Sequence, residues 1–154
     1  MLNLLSRYSG ILVFLALVAF AGWSGAIYEP GPFYEALQKP EWTPPDWVFA
    51  PVWIALYAMI ALAGWIVWRA QGLAAPLWVW IVQLLLNAAW PWAMFGRKQL
   101  DMALFDIGAL WFAILAFIFV AWPVRRSAAL LFVPYFLWVT FAAAFNFELW
   151  RLNS

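Results

Sequence analysis

The chain has 154 residues, 69% of them hydrophobic and only 10% charged, with a mean hydropathy of +0.89. An ordinary soluble domain is about 45–50% apolar and about 25% charged, so this chain has too little polar surface to face water and belongs in a bilayer. Its net charge of +1 argues against nucleic acid as a partner, and the lack of Cys and His excludes disulfides, thiolate nucleophiles, zinc sites, iron–sulfur clusters and His-ligated haem.

The basic residues at positions 7, 39, 69, 97, 98, 125, 126 and 151 cut the sequence into five apolar stretches. Each is about the 20 residues that a helix needs to cross a hydrocarbon core about 30 Å thick. They predict spans over 8–28, 47–68, 76–95, 102–122 and 128–150, within one transmembrane domain covering 1–154. Runs such as 10–21 do not alternate as barrel strands do. The expected class is therefore an all-α integral membrane protein, a five-helix transmembrane bundle.

The first span follows Arg7 and carries Ala19-Phe20-Ala21, a pattern shared with cleavable signal peptides; the apolar run continues past Ala21 without a polar mature start, so it reads as a span. The first loop, 29–46, is stiffened by Pro30, Pro32, Pro40, Pro44 and Pro45. Its Phe33–Leu37 stretch predicts one short helical turn. Phe33, Tyr34, Leu37 and Trp42 would rather lie on something apolar, so the loop is expected to act as a structured lid. Thr43-Pro44-Pro45-Asp46 predicts an N-cap, first-turn prolines and an acid at the start of the second span, and Ser127 predicts a cap for the fifth. Tyr8, Tyr28, Trp47, Trp68, Trp78, Trp122 and Trp150 stand near span ends, where an interfacial belt forms. Four basic residues fall on each side of the bilayer, so the positive-inside rule gives no orientation. No internal repeat of the inverted-repeat transporter kind is visible.

Polar residues inside spans must find partners. Gln83 and Asn87 share one face of the third span, with Trp90 three residues on. Hydrogen bonding between helices and contact with a ligand are equally good readings of Asn87. Asp106 is expected to pair with Arg97, Lys98 or an amide of another helix, and Glu148 with Arg151. No two acids share a span at catalytic spacing, so acid–base chemistry is poorly supported. Pro51, Pro91 and Pro134 are expected to bend their helices. Trp53 with Tyr57, and Trp138 with Ala142 and Asn146, recur every four residues as stripes. Either they are bulky packing, or they hold a flat apolar ligand by stacking, with an amide to orient it. Lys39 and Lys98 lie outside the spans, which leaves no Schiff-base lysine for a retinal photoreceptor.

The run Lys39-Pro40-Glu41-Trp42-Thr43-Pro44-Pro45-Asp46-Trp47-Val48-Phe49 resembles the Trp-x-Pro-Pro signature of the translocator protein family, also called tryptophan-rich sensory protein or peripheral benzodiazepine receptor. Pro51-Val52-Trp53 with Tyr57 is similar to its second helix. Gln83-Leu84-Leu85-Leu86-Asn87-Ala88-Ala89-Trp90-Pro91, then Phe95-Gly96, is similar to its third. Pro134-Tyr135-Phe136-Leu137-Trp138, Asn146 and Trp150-Arg151-Leu152-Asn153 resemble its fifth. The resemblance implies a five-helix protein, commonly a homodimer, that binds porphyrins (protoporphyrin and haem-related tetrapyrroles), sterols and benzodiazepine-site ligands without a required cofactor. It implies a pocket at Trp53, Tyr57, Asn87, Trp90, Trp138, Ala142 and Asn146, with Trp42 beside the lid. It also implies a second activity, light- and oxygen-dependent porphyrin breakdown at residues matching Trp53 and Trp138.

The sequence departs from the family in three places. The stretch 145–151 lacks the Tyr of the animal sterol pattern, Phe33 stands where some relatives have Trp, and no basic tail follows Arg151. The missing Tyr and the missing basic tail point to a bacterial envelope protein, and Phe33 weakens any photochemical role at its position. Small-residue spacing at Ala109 and Ala113 permits close helix approach in a dimer. A third expectation competes with receptor and enzyme: a structural or interaction protein whose aromatic residues only pack and anchor.

Overall fold

The computed structural model describes residues 2–154, with the side chains of residue 5 and of residues 8 onward; Met1 and the side chain of Arg7, which framed the first span, lie outside the described residues. Apolar segments in a bilayer must satisfy their backbone groups internally, and helices do so. Helix α1 covers Leu2–Ile27, the short α2 covers Pro32–Ala36 within the first loop, and α3 covers Phe49–Gln71. They are followed by α4 (Ala75–Pro91), α5 (Leu100–Ala121) and α6 (Arg126–Asn153). Five stretches are long and apolar enough to cross a membrane: Tyr8–Ile27, Asp46–Gln71, Ala75–Gly96, Leu100–Ala121 and Arg126–Asn153. The chain is an all-α membrane protein. Tyr8, Trp47, Trp68, Trp78, Trp122 and Trp150 face outward at the span ends, as a belt requires.

The helix starts differ from expectation. Thr43 does not cap α3: its hydroxyl donates to the Pro40 carbonyl at 2.6 Å, within the loop. Pro45 is extended, with ψ 144°, so the helix cannot begin there; a 3₁₀ turn over Asp46–Val48 comes first. Ser127 does not cap α6 either. The turn after α5 closes earlier, with the Arg125 N–H on the Ala121 carbonyl at 2.8 Å, and Arg125 takes the cap position. Nor does Pro51 disrupt its helix, because it lies in the first turn of α3, where its missing N–H has no helical partner to lose. Pro91 ends α4, and the chain widens into a single π turn over Trp92–Gly96, with the Arg97 N–H on the Trp92 carbonyl at 2.7 Å. Pro134 alone of the three stands well inside a helix.

The five long helices close into a ring. Helix α1 packs on α3 and α4, α3 on α6, α6 on α5, and α5 on α4. At the end holding the α3–α4 and α5–α6 connections the ring is shut by small residues: Ala61, Ala63, Ala121, Ala128 and Ala129 are fully buried. Gly64 is required there. A Cβ at this position would lie 2.6 Å from Trp80 Nε1 and 2.8 Å from Phe14, and its absence lets the Trp80 indole reach the Ile60 carbonyl at 2.8 Å. The opposite end, beneath the first loop, is built from aromatic rings and amides.

Candidate functional site

Three groups of side chains occupy the half of the bundle near the first loop. The first is a hydrogen-bonded chain across α3, α4 and α6. Tyr57 donates to Asn87 Oδ1 at 3.4 Å, Asn87 Nδ2 donates to the Tyr135 oxygen at 2.7 Å, and Tyr135 donates to Gln83 Oε1 at 3.0 Å. Tyr135 and Gln83 are fully buried and Asn87 nearly so. Trp53 covers the chain, its ring centre 5.3 Å from that of Tyr57 and 6.3 Å from that of Tyr135. Gly22 admits the Tyr57 ring against α1, since a Cβ there would lie 2.9 Å from it.

In the second group, Trp90 Nε1 donates to Asn146 Oδ1 at 2.9 Å, and Asn146 Nδ2 donates to the Leu100 carbonyl at 3.3 Å. This ties α4, α6 and the start of α5 together. The third group is a row of rings. Trp138 touches Phe49 at 5.8 Å and Phe141 at 5.4 Å. Trp42, from the loop, lies over Phe141 at 5.7 Å and Phe145 at 5.8 Å. Beside this row runs a groove of about 460 Å³, where Val52, Leu56 and Met59 of α3 face Pro134, Leu137 and Trp138 of α6. The Trp138 indole N–H is buried with no partner.

The eight expected ligand residues therefore fall into separate sets. Trp53, Tyr57 and Asn87 come together; Trp90 and Asn146 come together; Trp42 and Trp138 share contacts with Phe141. Ala142 is partly buried, packed against the main core. The stripe from Trp138 to Asn146 splits for a geometric reason. Eight residues at about 100° each leave two side chains about 80° apart around the helix, so Trp138 turns toward α3 while Asn146 turns toward α4 and α5. Tyr135, the centre of the polar chain, is absent from the expected set. Its signal was a tyrosine deep in a span, away from either interface, opposite two amides that needed a partner.

Among charged residues, Glu148 pairs with Arg151 as expected. Asp106 does not pair with Arg97, Lys98 or an amide: its Oδ2 is buried without a partner. Arg97 instead stacks over Trp92 at 5.9 Å. Lys98 adopts a positive φ of 56° and lines a second cleft, of about 260 Å³, with Glu29 and Phe33. No cluster of metal-binding side chains occurs among the described residues. In the loop, burial, and secondarily the Asp46 carboxylate, raise the Tyr34 phenol above its ordinary 10.0.

A family model described as TspO/MBR matches residues 11–151. The chain is 37% identical to Protein CrtK of Rhodobacter capsulatus over 148 residues, covering 92% of this chain and 91% of the relative. It is 36% identical to the tryptophan-rich sensory protein of Cereibacter sphaeroides, covering 92% and 90%. The translocator protein of Bos taurus is 36% identical, covering 92% and 88%.

Proposed function

The chain belongs to the TspO/MBR family, and from that premise we propose that it is a membrane receptor or sensor for porphyrins and similarly flat, apolar molecules. The observation that carries this reading is the row Trp42, Phe141, Trp138 and Phe49, with an unpaired Trp138 indole N–H beside an apolar groove. A porphyrin is a wide aromatic plate. Ring faces bind it by stacking and by excluding water, and one donor fixes its orientation. Trp53, Tyr57 and Asn87, held by Tyr135, form a separate aromatic and amide set beside the row, while Trp90 and Asn146 brace the helices at loop level. Binding needs no cofactor, because the porphyrin is itself the ligand. Sterols and benzodiazepine-site ligands share the flat, apolar character and fall in the same class. A bacterial envelope location and a homodimer complete the reading.

The test is a titration of purified protein with protoporphyrin in the dark, following tryptophan fluorescence, with Trp138→Ala alongside. Saturation near one ligand per chain, weakened by the substitution, is the expected result. A linear, lipid-like response sinks the proposal.

One observation favours a second reading, photo-oxidative porphyrin breakdown with dioxygen as oxidant. Trp53 lies tilted against Tyr57 with ring centres 5.3 Å apart, so a porphyrin seated there would meet two electron-rich rings on α3. Under light, Trp53→Phe and Trp138→Phe should abolish turnover and leave dark binding measurable; unchanged turnover rejects their part in it.

A further inference from the structure

The first loop leaves α1 at Tyr28 and returns at Asp46, and much of its bonding closes on itself. Lys39 Nζ donates to the Tyr34 carbonyl at 2.6 Å and lies 4.5 Å from the centre of the Tyr34 ring. Among the described residues, the hydrogen bonds from this loop to the bundle go to one side chain, Asn153 in the last turn of α6. The Gln38 N–H donates to Asn153 Oδ1 at 2.9 Å, and Asn153 Nδ2 donates back to the Gln38 carbonyl at 2.9 Å. Nδ2 also donates to the Leu149 carbonyl at 2.8 Å, which holds the amide in one orientation. A side-chain amide paired in both directions with one residue's backbone imitates a rung of antiparallel sheet. Here it joins residues 115 positions apart.

Trp42 stands four residues beyond Gln38 and lies over the ring row of α6. Pro40, between them, is buried and fixes its own φ, and the Thr43 hydroxyl closes on its carbonyl. Residues 40–43 therefore form a closed turn that carries Trp42 two residues after Pro40. Releasing Gln38 leaves the loop held by the packing of Tyr34 and Leu37 and by the ring contacts of Trp42.

We propose that Asn153 is a positioning residue that latches the first loop over the aromatic row and sets the rate at which ligand enters and leaves. The inference rests on the receptor reading above. Trp42 covers the loop end of the row through Phe141 and Phe145, so the frequency with which the latch opens sets how often ligand can enter and leave at that end.

The test compares the full chain with Asn153→Ala and Asn153→Asp in phosphatidylcholine nanodiscs. Hydrogen exchange at the Gln38 amide reports the latch. Stopped-flow quenching of tryptophan fluorescence by protoporphyrin in the dark reports the gate. In Asn153→Ala, loss of two hydrogen bonds should speed Gln38 exchange about 10- to 30-fold. Association and dissociation rates should rise by similar factors, so Kd changes less than either. Asn153→Asp keeps an acceptor for the Gln38 N–H and loses the return donor, and should fall between. Unchanged exchange in Asn153→Ala overturns the latch. Faster exchange with unchanged ligand rates overturns its control of entry. Absence of saturable binding by the unsubstituted chain overturns the receptor reading and the gate together, while exchange still reports the latch by itself.

Discussion

Tyr135→Phe removes one oxygen from the centre of the polar chain and leaves the ring where it is. Contacts of that ring with Phe132 at 5.3 Å and Trp53 at 6.3 Å survive, so the packing change is small and the hydrogen bonds decide the outcome. Two are lost, from Asn87 at 2.7 Å and to Gln83 at 3.0 Å. Interhelical hydrogen bonds in membranes contribute about 0.6 kcal/mol on average and up to about 1.7. Both partners are buried, and Gln83 Nε2 already lacks a partner, so the substitution leaves the whole Gln83 amide unpaired. Orphaning a buried polar group costs about 1–3 kcal/mol. The expected loss is about 2 kcal/mol, or about 30-fold in the unfolding equilibrium. SDS titration in mixed micelles, followed by far-UV circular dichroism, measures it. Gln83→Leu should cost less, about 1 kcal/mol, since the Tyr135 oxygen keeps its bond from Asn87 and only the O–H loses a partner. The double variant should cost about 1 kcal/mol less than the sum, because it holds neither the Gln83 amide nor the Tyr135 O–H and only Asn87 Nδ2 is left without its partner. A Tyr135→Phe loss below about 0.5 kcal/mol, or additivity within about 0.3 kcal/mol, would refute the claim that the chain acts as a unit.

Gly64→Ala drives a methyl group into the Trp80 indole, which its bond to the Ile60 carbonyl holds in place; overpacking and the strained bond should cost about 2–4 kcal/mol by the same SDS titration. Trp138→Phe removes a donor that the folded chain does not use. It should shift stability by less than about 1 kcal/mol and weaken protoporphyrin binding about 5- to 10-fold, a split visible by running both titrations on one preparation. The neutral Tyr34 ring, whose acidity burial and Asp46 suppress, supports the docked loop at every pH below its ordinary 10.0. That support is lost as pH rises through the higher folded value. Amide exchange in residues 33–43 should accelerate in this alkaline range, and Tyr34→Phe should abolish the step.

The spans could be read because charge is so scarce: the eight basic residues fall in the loops or near helix ends, and the hydrocarbon thickness does the rest. Helix starts were less legible, since a hydroxyl such as that of Thr43 can serve a loop turn as well as a cap, and Pro44-Pro45 kept the backbone extended for longer. Residues on a single helix were grouped correctly at close spacing, as with Trp53 and Tyr57. Over eight residues the same reasoning failed for Trp138 and Asn146, because 3.6 residues per turn rotates the stripe away from itself. Tyr135, despite its place deep in a span, and Asn153 could not be given partners from the sequence for another reason. Their partners, Asn87, Gln83 and Gln38, lie on other parts of the chain, and only the closure of the ring and the fold of the loop bring them close.

The two ends of the ring suggest how packing and reception divide the molecule. At the alanine-lined end the Trp80 N–H is brought to a carbonyl by a glycine, while the Trp65 N–H on α3 is buried without a partner. Near the loop, Trp138 also keeps a buried N–H without a partner, and this one belongs to a ring that lines the groove. A buried donor without a partner costs free energy, and replacing the indole with a phenyl ring would remove that cost. A bundle whose aromatic residues served packing alone gains nothing from such a donor. A receptor gains a point at which ligand supplies the missing acceptor, so the cost in the free protein is returned as affinity. This is why stability and binding should respond so differently to Trp138→Phe, and why equal small effects on both would favour a purely structural role for the rings.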